Sequence, residues 1–144
     1  MDMASLNRHL LRARDLMDAR YADPLDVPTL ARAAHVSPAH FSRQFKAAFG
    51  ETPHQYLLTR RLERAAALLR GTDHSVAEIC LEVGLQGVGS FTTSFKRMFD
   101  ATPKEYRAQF PPAAARAVVP SCVVRAYARP QHRTFREDKG TAAE

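Results

Sequence analysis

Residues 41–56 read FSRQFKAAFGETPHQY, and residues 91–106 read FTTSFKRMFDATPKEY. Phe41, Phe45, Phe49, Thr52, Pro53 and Tyr56 return fifty residues later as Phe91, Phe95, Phe99, Thr102, Pro103 and Tyr106, with the same residue type at every position. Before each copy lies a short apolar helix pattern and a tight turn, LARAAHVSPAHF (30–41) and AEICLEVGLQGVGSF (77–91). A repeat of this period is one supersecondary unit duplicated. Each unit reads helix, turn, helix, the arrangement that presents its second helix to a DNA major groove. The expected fold is therefore all-α: seven helices forming two helix-turn-helix subdomains, about 26–50 and 75–100, joined by a long linker helix at about 53–70.

Outward from the repeat, the punctuation residues set the remaining elements. A first helix is expected from about Ser5 to Tyr21, with Leu6, Leu10, Met17 and Tyr21 on one face, and Asp23-Pro24 ends it. Asp26 caps a short second helix through His35, with Leu30, Ala31 and Ala34 inward. Ser37 caps a third, with Pro38 at its first position, and Gly50 stops it in the left-handed conformation. The fourth helix starts at Pro53 and runs to Gly71; its stripe is read as Leu58, Leu62, Ala65 and Leu69, and at 1.5 Å per residue it spans about 25 Å. Ser75 to Glu78 has the form of a capping box for the fifth helix, and Gly84 is a left-handed turn candidate after it. A sixth helix is expected over about Val88–Phe99 and a short seventh from Pro103 through Phe110. Beyond Pro111-Pro112 the composition turns Arg-, Ala- and Pro-rich without periodicity. Residues 111–144 read as a mostly irregular basic tail, with a phosphate-binding arm and a partner-docking segment as the alternatives.

Composition narrows the partner. The 144 residues carry a net charge of +6 and no Trp, so the core rests on Leu, Ala and Phe. Residues 1–31 hold four basic against five acidic side chains, residues 32–110 eleven against seven, and residues 111–144 six against three. The positive excess lies with the repeat and the tail, which favours an anionic partner. Cys80 sits in an apolar helix pattern and Cys122 in the tail, too far apart for a CxxC metal site, so no structural zinc and no cofactor are expected. No secretory signal is read, and no apolar run approaches the ~20 residues of a membrane helix. The expectation is a cytoplasmic, nucleoid-associated protein with no membrane partner and no evident small-molecule ligand.

The phenylalanines at i, i+4 and i+8 read as core, each ring burying ~150–250 Å². Their burial turns the opposite helix face outward. In the first unit that face holds Ala39, Ser42, Arg43 and Lys46; in the second it holds Val88, Gly89, Thr92, Thr93 and Lys96.

At this point residues 5–110 resemble the DNA-binding domain of the AraC/XylS family of bacterial transcription regulators. The resemblance is carried by LARAAHVSPAHFSRQFKAAFGETPHQYL (30–57), RRLERAAALL (60–69) and VAEICLEVGLQGVGSFTTSFKRMFDATPKEYR (76–107). It covers about three quarters of the chain, and the tail matches nothing in the shared pattern. It implies two recognition helices, about 38–49 and 88–99, entering successive major-groove segments of an asymmetric site, often in activators that contact RNA polymerase. Because the sequence begins almost at the first helix, it resembles the stand-alone members; two readers in one basic chain suggest that it grips double-stranded DNA as a monomer.

The positions matching the family's base contacts are Ala39, Ser42, Arg43 and Lys46, then Val88, Gly89, Thr92 and Thr93. Arg43 is the strongest reader, because its planar fork can bind guanine O6 and N7 together; the bland alternative is a solvated arginine. Ala39 departs from the larger side chains often found there and offers only apolar contact. The second set contains no Arg, Gln or Asn, so the first unit is expected to set most of the sequence preference and the second mainly to anchor. Lys46, Arg61, Lys96, Arg97 and Lys104 fit phosphate roles, as do backbone N–H groups at the helix N-termini near Ser37, Ser75 and Ser90. Grooves on one face of a duplex repeat every ~34 Å, so the site should span roughly 16–20 bp.

Other classes find less support. An enzyme needs a convergent nucleophile, base and orienting group. The six histidines show no H-x-x-x-H pair with a carboxylate partner, and no phosphate-cradling glycine motif is present. The stronger rival is a helical adaptor that binds polymerase or another regulator, with weak DNA affinity of its own.

Overall fold

The computed structural model describes residues 2–112; the expectations for the tail and Cys122 fall outside the described residues. Seven α-helices are present among them and no strand: α1 (Met3–Ala19), α2 (Val27–Ala33), α3 (Pro38–Phe49), α4 (Pro53–Gly71), α5 (Val76–Glu82), α6 (Val88–Phe99) and α7 (Pro103–Ala108). The chain divides into two compact units after Arg60, with α4 contributing residues to both.

In the first unit, α1 begins two residues before the expected Ser5, because Asp2 accepts the Ser5 N–H at 2.6 Å and caps the helix. It ends at Ala19 rather than Tyr21. Leu6, Leu10, Ala13 and Met17 form its buried stripe, and Tyr21 packs from beyond the helix end. Asp26 caps α2 through the Thr29 N–H at 2.9 Å, and the Thr29 hydrogen bonds hold its carboxyl below the usual range. This helix stops at Ala33, before the expected His35, which takes φ of 58° in the turn. Leu30, Ala31 and Ala34 are buried as expected, against Phe41 and Phe45 of α3.

Gly50 closes α3 at φ 80°, its N–H donating to the Lys46 carbonyl at 2.8 Å. α4 then opens with a reciprocal pair: the Gln55 N–H donates to Thr52 Oγ1 at 3.2 Å and the Thr52 N–H to Gln55 Oε1 at 3.0 Å. The inward residue in the first turns of α4 is Leu57, 7% exposed, and not the expected Leu58. Tyr56 donates its hydroxyl to Asp18 at 2.7 Å, and Arg60 pairs with the same carboxylate at 3.0 Å, tying α1 to the start of α4. Burial, then the bond to Asp18, pushes the phenol's pKa well up.

The second unit repeats the plan. Leu62, Ala65, Ala66 and Leu69 of α4 are buried, as are Ile79, Cys80, Val83, Phe91, Phe95, Met98 and Tyr106. Burial raises the Cys80 thiol pKa, in keeping with a small core hydrophobe. Ser75 caps α5 by accepting the Glu78 N–H at 3.0 Å; only this half of the expected box forms. A complete box occurs instead at Thr102 and Glu105, opening α7, the counterpart of Thr52 and Gln55. Those bonds hold the Glu105 carboxyl below its ordinary range. Arg70, only 5% exposed, donates to the Tyr106 hydroxyl at 2.8 Å. Arg107 donates to the Leu69 and Thr72 carbonyls at 3.1 and 3.2 Å, satisfying acceptors at the end of α4. α7 stops at Ala108, short of the expected Phe110.

The left-handed positions are distributed unequally. Gly84 (φ 86°) occupies the turn of the second unit where the first has His35, while Asp100 (φ 62°) closes α6 where Gly50 closes α3. A left-handed non-glycine residue is strained by roughly 1 kcal/mol. Asp100→Gly is therefore expected to stabilise the second unit by about 0.5–1 kcal/mol, and Gly50→Ala to destabilise the first by about 1 kcal/mol or more. Urea melts of the two variants check both signs.

Candidate nucleic-acid interface

α3 is a helix of 12 residues with Pro38 in its first turn and Ser37 at its cap, accepting the His40 N–H at 3.3 Å. Phe41 and Phe45 are fully buried, their ring centroids 5.6 Å apart, and Phe45 further packs on Phe49 and Tyr56. The Arg14 guanidinium lies 4.6 Å from the Phe49 ring centroid, covering its edge of the core. With one side of the helix so committed, the other faces outward. Ala39, Arg43 and Lys46 are exposed there, and Ser42 is half-buried between them. Positions 39, 42, 43 and 46 share one helix face. Among the described residues, no hydrogen bond or ion pair engages the side chain of Arg43 or Lys46.

α6 has the same length and the same internal plan, with Phe91 and Phe95 buried against Phe99 and Tyr106. Its N-cap is Gly87, which makes no side-chain capping bond. Val88, Gly89 and Thr93 are exposed, Thr92 is half-buried, and Lys96 and Arg97 continue the exposed surface toward the C-terminus. The Thr93 hydroxyl donates to the Gly89 carbonyl at 3.1 Å.

The remaining phosphate candidates lie on several elements. Ser37 and Ser75 are exposed and accept the N–H groups they cap, and Ser90 is exposed in the first turn of α6. Lys104 is exposed on α7. Arg61 differs from the others: it is half-buried on α4, and desolvation lowers the pKa of its guanidinium. The structure thus gathers Ala39, Ser42, Arg43 and Lys46 on α3, and Val88, Gly89, Thr92, Thr93, Lys96 and Arg97 on α6. Arg61 and Lys104 stand on α4 and α7, and Ser75 at the N-cap of α5.

One polar group was missed from sequence. His74, Glu78 and Glu82 recur at intervals of four residues and come together at α5, with His74 Nδ1 2.7 Å from Glu82 Oε1. The i, i+4, i+8 spacing is legible in the sequence, though it contains no second histidine. All three are exposed, and the contact reads as a solvated surface pair.

The fold and this outward basic surface define a helix-turn-helix protein of the double-unit kind. The family model described as a helix-turn-helix domain matches residues 30–109. A transcriptional regulator with an AraC-type DNA-binding domain from Chromobacterium violaceum is 35% identical, with a TM-score of 0.66, covering 74% of this chain and 95% of that one. The DNA-binding domain of AdpA, solved in complex with a target DNA, is 31% identical with a TM-score of 0.67, covering 78% and 96%. The regulator CdhR of Pseudomonas aeruginosa is 32% identical over 134 residues, which are 93% of this chain and 38% of CdhR. The chain belongs to the AraC-type family of helix-turn-helix DNA-binding domains, not to an enzyme family. It spans well under half the length of curated relatives such as CdhR and MtrA of Neisseria gonorrhoeae, of which it covers 38% and 28%. Among the described residues no helix is long and apolar enough to cross a membrane.

Since the side chains of Arg43, Lys46 and Arg97 extend from the surface without partners among the described residues, alanine at each should change stability by no more than about 0.5 kcal/mol. Phe45→Ala or Phe95→Ala should cost about 3–5 kcal/mol by emptying a packed core. Denaturant melts of the five variants separate the scaffold from the surface it presents.

Proposed function

We propose that this chain binds double-stranded DNA sequence-specifically as part of a transcription regulator. In this reading α3 and α6 enter successive major-groove segments of an asymmetric site, and a single copy of the chain supplies both readers. The observation that carries it is the exposed Arg43, whose side chain has no partner among the described residues, on the face of α3 opposite Phe41 and Phe45. A recognition helix reads base edges from its outward N-terminal turns, and an arginine there matches the acceptor pair of guanine. Ala39 contributes apolar contact, Ser42 a hydroxyl and Lys46 a charge toward base or phosphate. Val88, Gly89, Thr92 and Thr93 form the second reading face, which adds less discrimination than Arg43.

Lys96, Arg97 and Lys104 supply phosphate contacts, helped by the N-terminal turns at Ser37, Ser75 and Ser90. Arg61 contributes at closer range from its half-buried position. These contacts position the helices and carry no sequence information themselves. A chain bound in this way resides with the nucleoid, and RNA polymerase is the further partner that membership of the family implies.

Selection from a random duplex library at two salt concentrations tests the reading. One asymmetric motif with two unlike half-sites about 10.5 bp apart is the expected product. Arg43→Ala should lose about 1–3 kcal/mol of discrimination at one base pair, while Thr93→Ala should relax at most one position of the other half, by no more than about 0.8 kcal/mol, and leave the rest of the motif unchanged. Lys96→Ala should weaken binding evenly across sequences and reduce the salt slope by about one. Salt-sensitive binding with no enriched motif would instead favour a partner-dependent helical adaptor.

A further inference from the structure

The outward face of α6 is chemically unlike that of α3. Where α3 places Ala39, Ser42 and Arg43, α6 places Gly89, Thr92 and Thr93. Val88, in the first turn, is 43% exposed. The Thr93 hydroxyl has one proton, and that proton is directed to the Gly89 carbonyl at 3.1 Å. What Thr93 offers outward is its methyl group and oxygen lone pairs. Thr92 is half-buried, Val88 has no polar atom, and Gly89 has no side chain. The face is rich in methyl groups and poor in donors.

That composition selects among base edges. In the major groove guanine presents two acceptors, which require donors, whereas thymine presents its C5-methyl beside one acceptor. Exposed Lys96 and Arg97 on the same helix mark the partner as a polyanion.

Gly89 adds a second, independent observation. A Cβ built there meets nothing within 4 Å, and its backbone is not among the left-handed positions. Nothing among the described residues requires glycine in this helical turn, where alanine is the better helix former. Glycine there leaves room for another molecule to approach the backbone closely.

We infer that α6 reads thymine C5-methyl groups at short range, with Gly89 providing the clearance that lets Val88, Thr92 and Thr93 reach them. The inference rests on the DNA-binding reading above and specifies what its second half-site contains.

The test begins with the duplex that the full chain enriches from a random library; the base pair relaxed by Arg43→Ala marks the α3 half. Each thymine of the other half is replaced in turn by deoxyuridine, which deletes the methyl and keeps every hydrogen-bonding group. Each contacted thymine should lose about fourfold in affinity on replacement, equivalent to about 0.8 kcal/mol for one buried carbon. In parallel, Gly89→Ala should melt no lower than the parent chain yet bind the same duplex about tenfold more weakly. Deoxyuridine without effect throughout that half, or Gly89→Ala binding as tightly as the parent, overturns the inference while leaving sequence-specific binding intact. Failure to enrich any duplex is a different result, and removes the DNA-reading itself.

Discussion

Everything presented to the outside depends on two buried rings, Phe45 and Phe95. Phe45 touches Phe41, Phe49 and Tyr56 at centroid separations of 5.6, 4.6 and 5.7 Å; Phe95 touches Phe91, Phe99 and Tyr106 at 5.7, 4.4 and 5.3 Å. Each is wholly removed from solvent. At ~25 cal/mol per Å², a ring of ~150–250 Å² contributes roughly 4–6 kcal/mol before the costs of ordering it, so rotating α3 or α6 about its axis is prohibitive. The same rings fix where the following helix begins. Tyr56 and Tyr106, three residues beyond Pro53 and Pro103, seat against them just after the Thr52 and Thr102 boxes. One set of six repeated residues therefore makes the core, aims the outward face and starts the next helix.

Much of this was legible because it is local. Pro38, Gly50, Pro53, Gly84 and Pro103 act through their own backbone restrictions, and the helices begin or end where those residues stand. The misses have a common cause in contacts between distant residues. Leu57 and Leu58 are adjacent and equally apolar, so periodicity does not decide which turns inward; packing against α1–α3 does. Arg70 would be placed in solvent on composition, yet it is buried because Tyr106, thirty-six residues on, accepts its hydrogen bond. Asp100 adopts the left-handed conformation where Gly50 stops the first unit's helix; aspartate is among the few non-glycine residues that enter it, but only alignment with Gly50 distinguishes this aspartate from the others. The outward residues of α3 and α6 were legible as a face for the same reason the core was: fixing one side of a helix fixes the other. Which atoms of that face remain available was not. The bond from Thr93 to the Gly89 carbonyl, which directs the hydroxyl inward, is visible only in three dimensions.

The two units have kept their interior and diverged on their surface, and physical cost explains the contrast. Replacing Phe45 or Phe95 disturbs a close-packed cluster, whereas the residues at 43 and 93 are exposed. Arg43 and Thr93 occupy equivalent positions of the repeat with opposite chemistry, a forked cation against a methyl with its proton turned inward. The caps diverge similarly, with Ser37 bonding the first turn of α3 and Gly87 leaving that of α6 without a side-chain partner.

That divergence bears on how a site would be read. A symmetric dimer of single helix-turn-helix units presents the same reader twice, so its operator repeats the same half-site. Here the two readers belong to one chain and share no outward side chain except the lysine at 46 and 96. A lysine contributes charge and reach but little base discrimination compared with a bidentate arginine. Under the proposed function, what the units have in common serves affinity and what differs serves recognition. In the proposed function, a palindromic site would match Arg43 in one half and leave a donor-poor face opposite the same guanine in the other, with its acceptors unpaired. An unpaired buried polar group costs about 1–3 kcal/mol, enough to make the asymmetric site the preferred one and to fix the direction in which the chain lies on it.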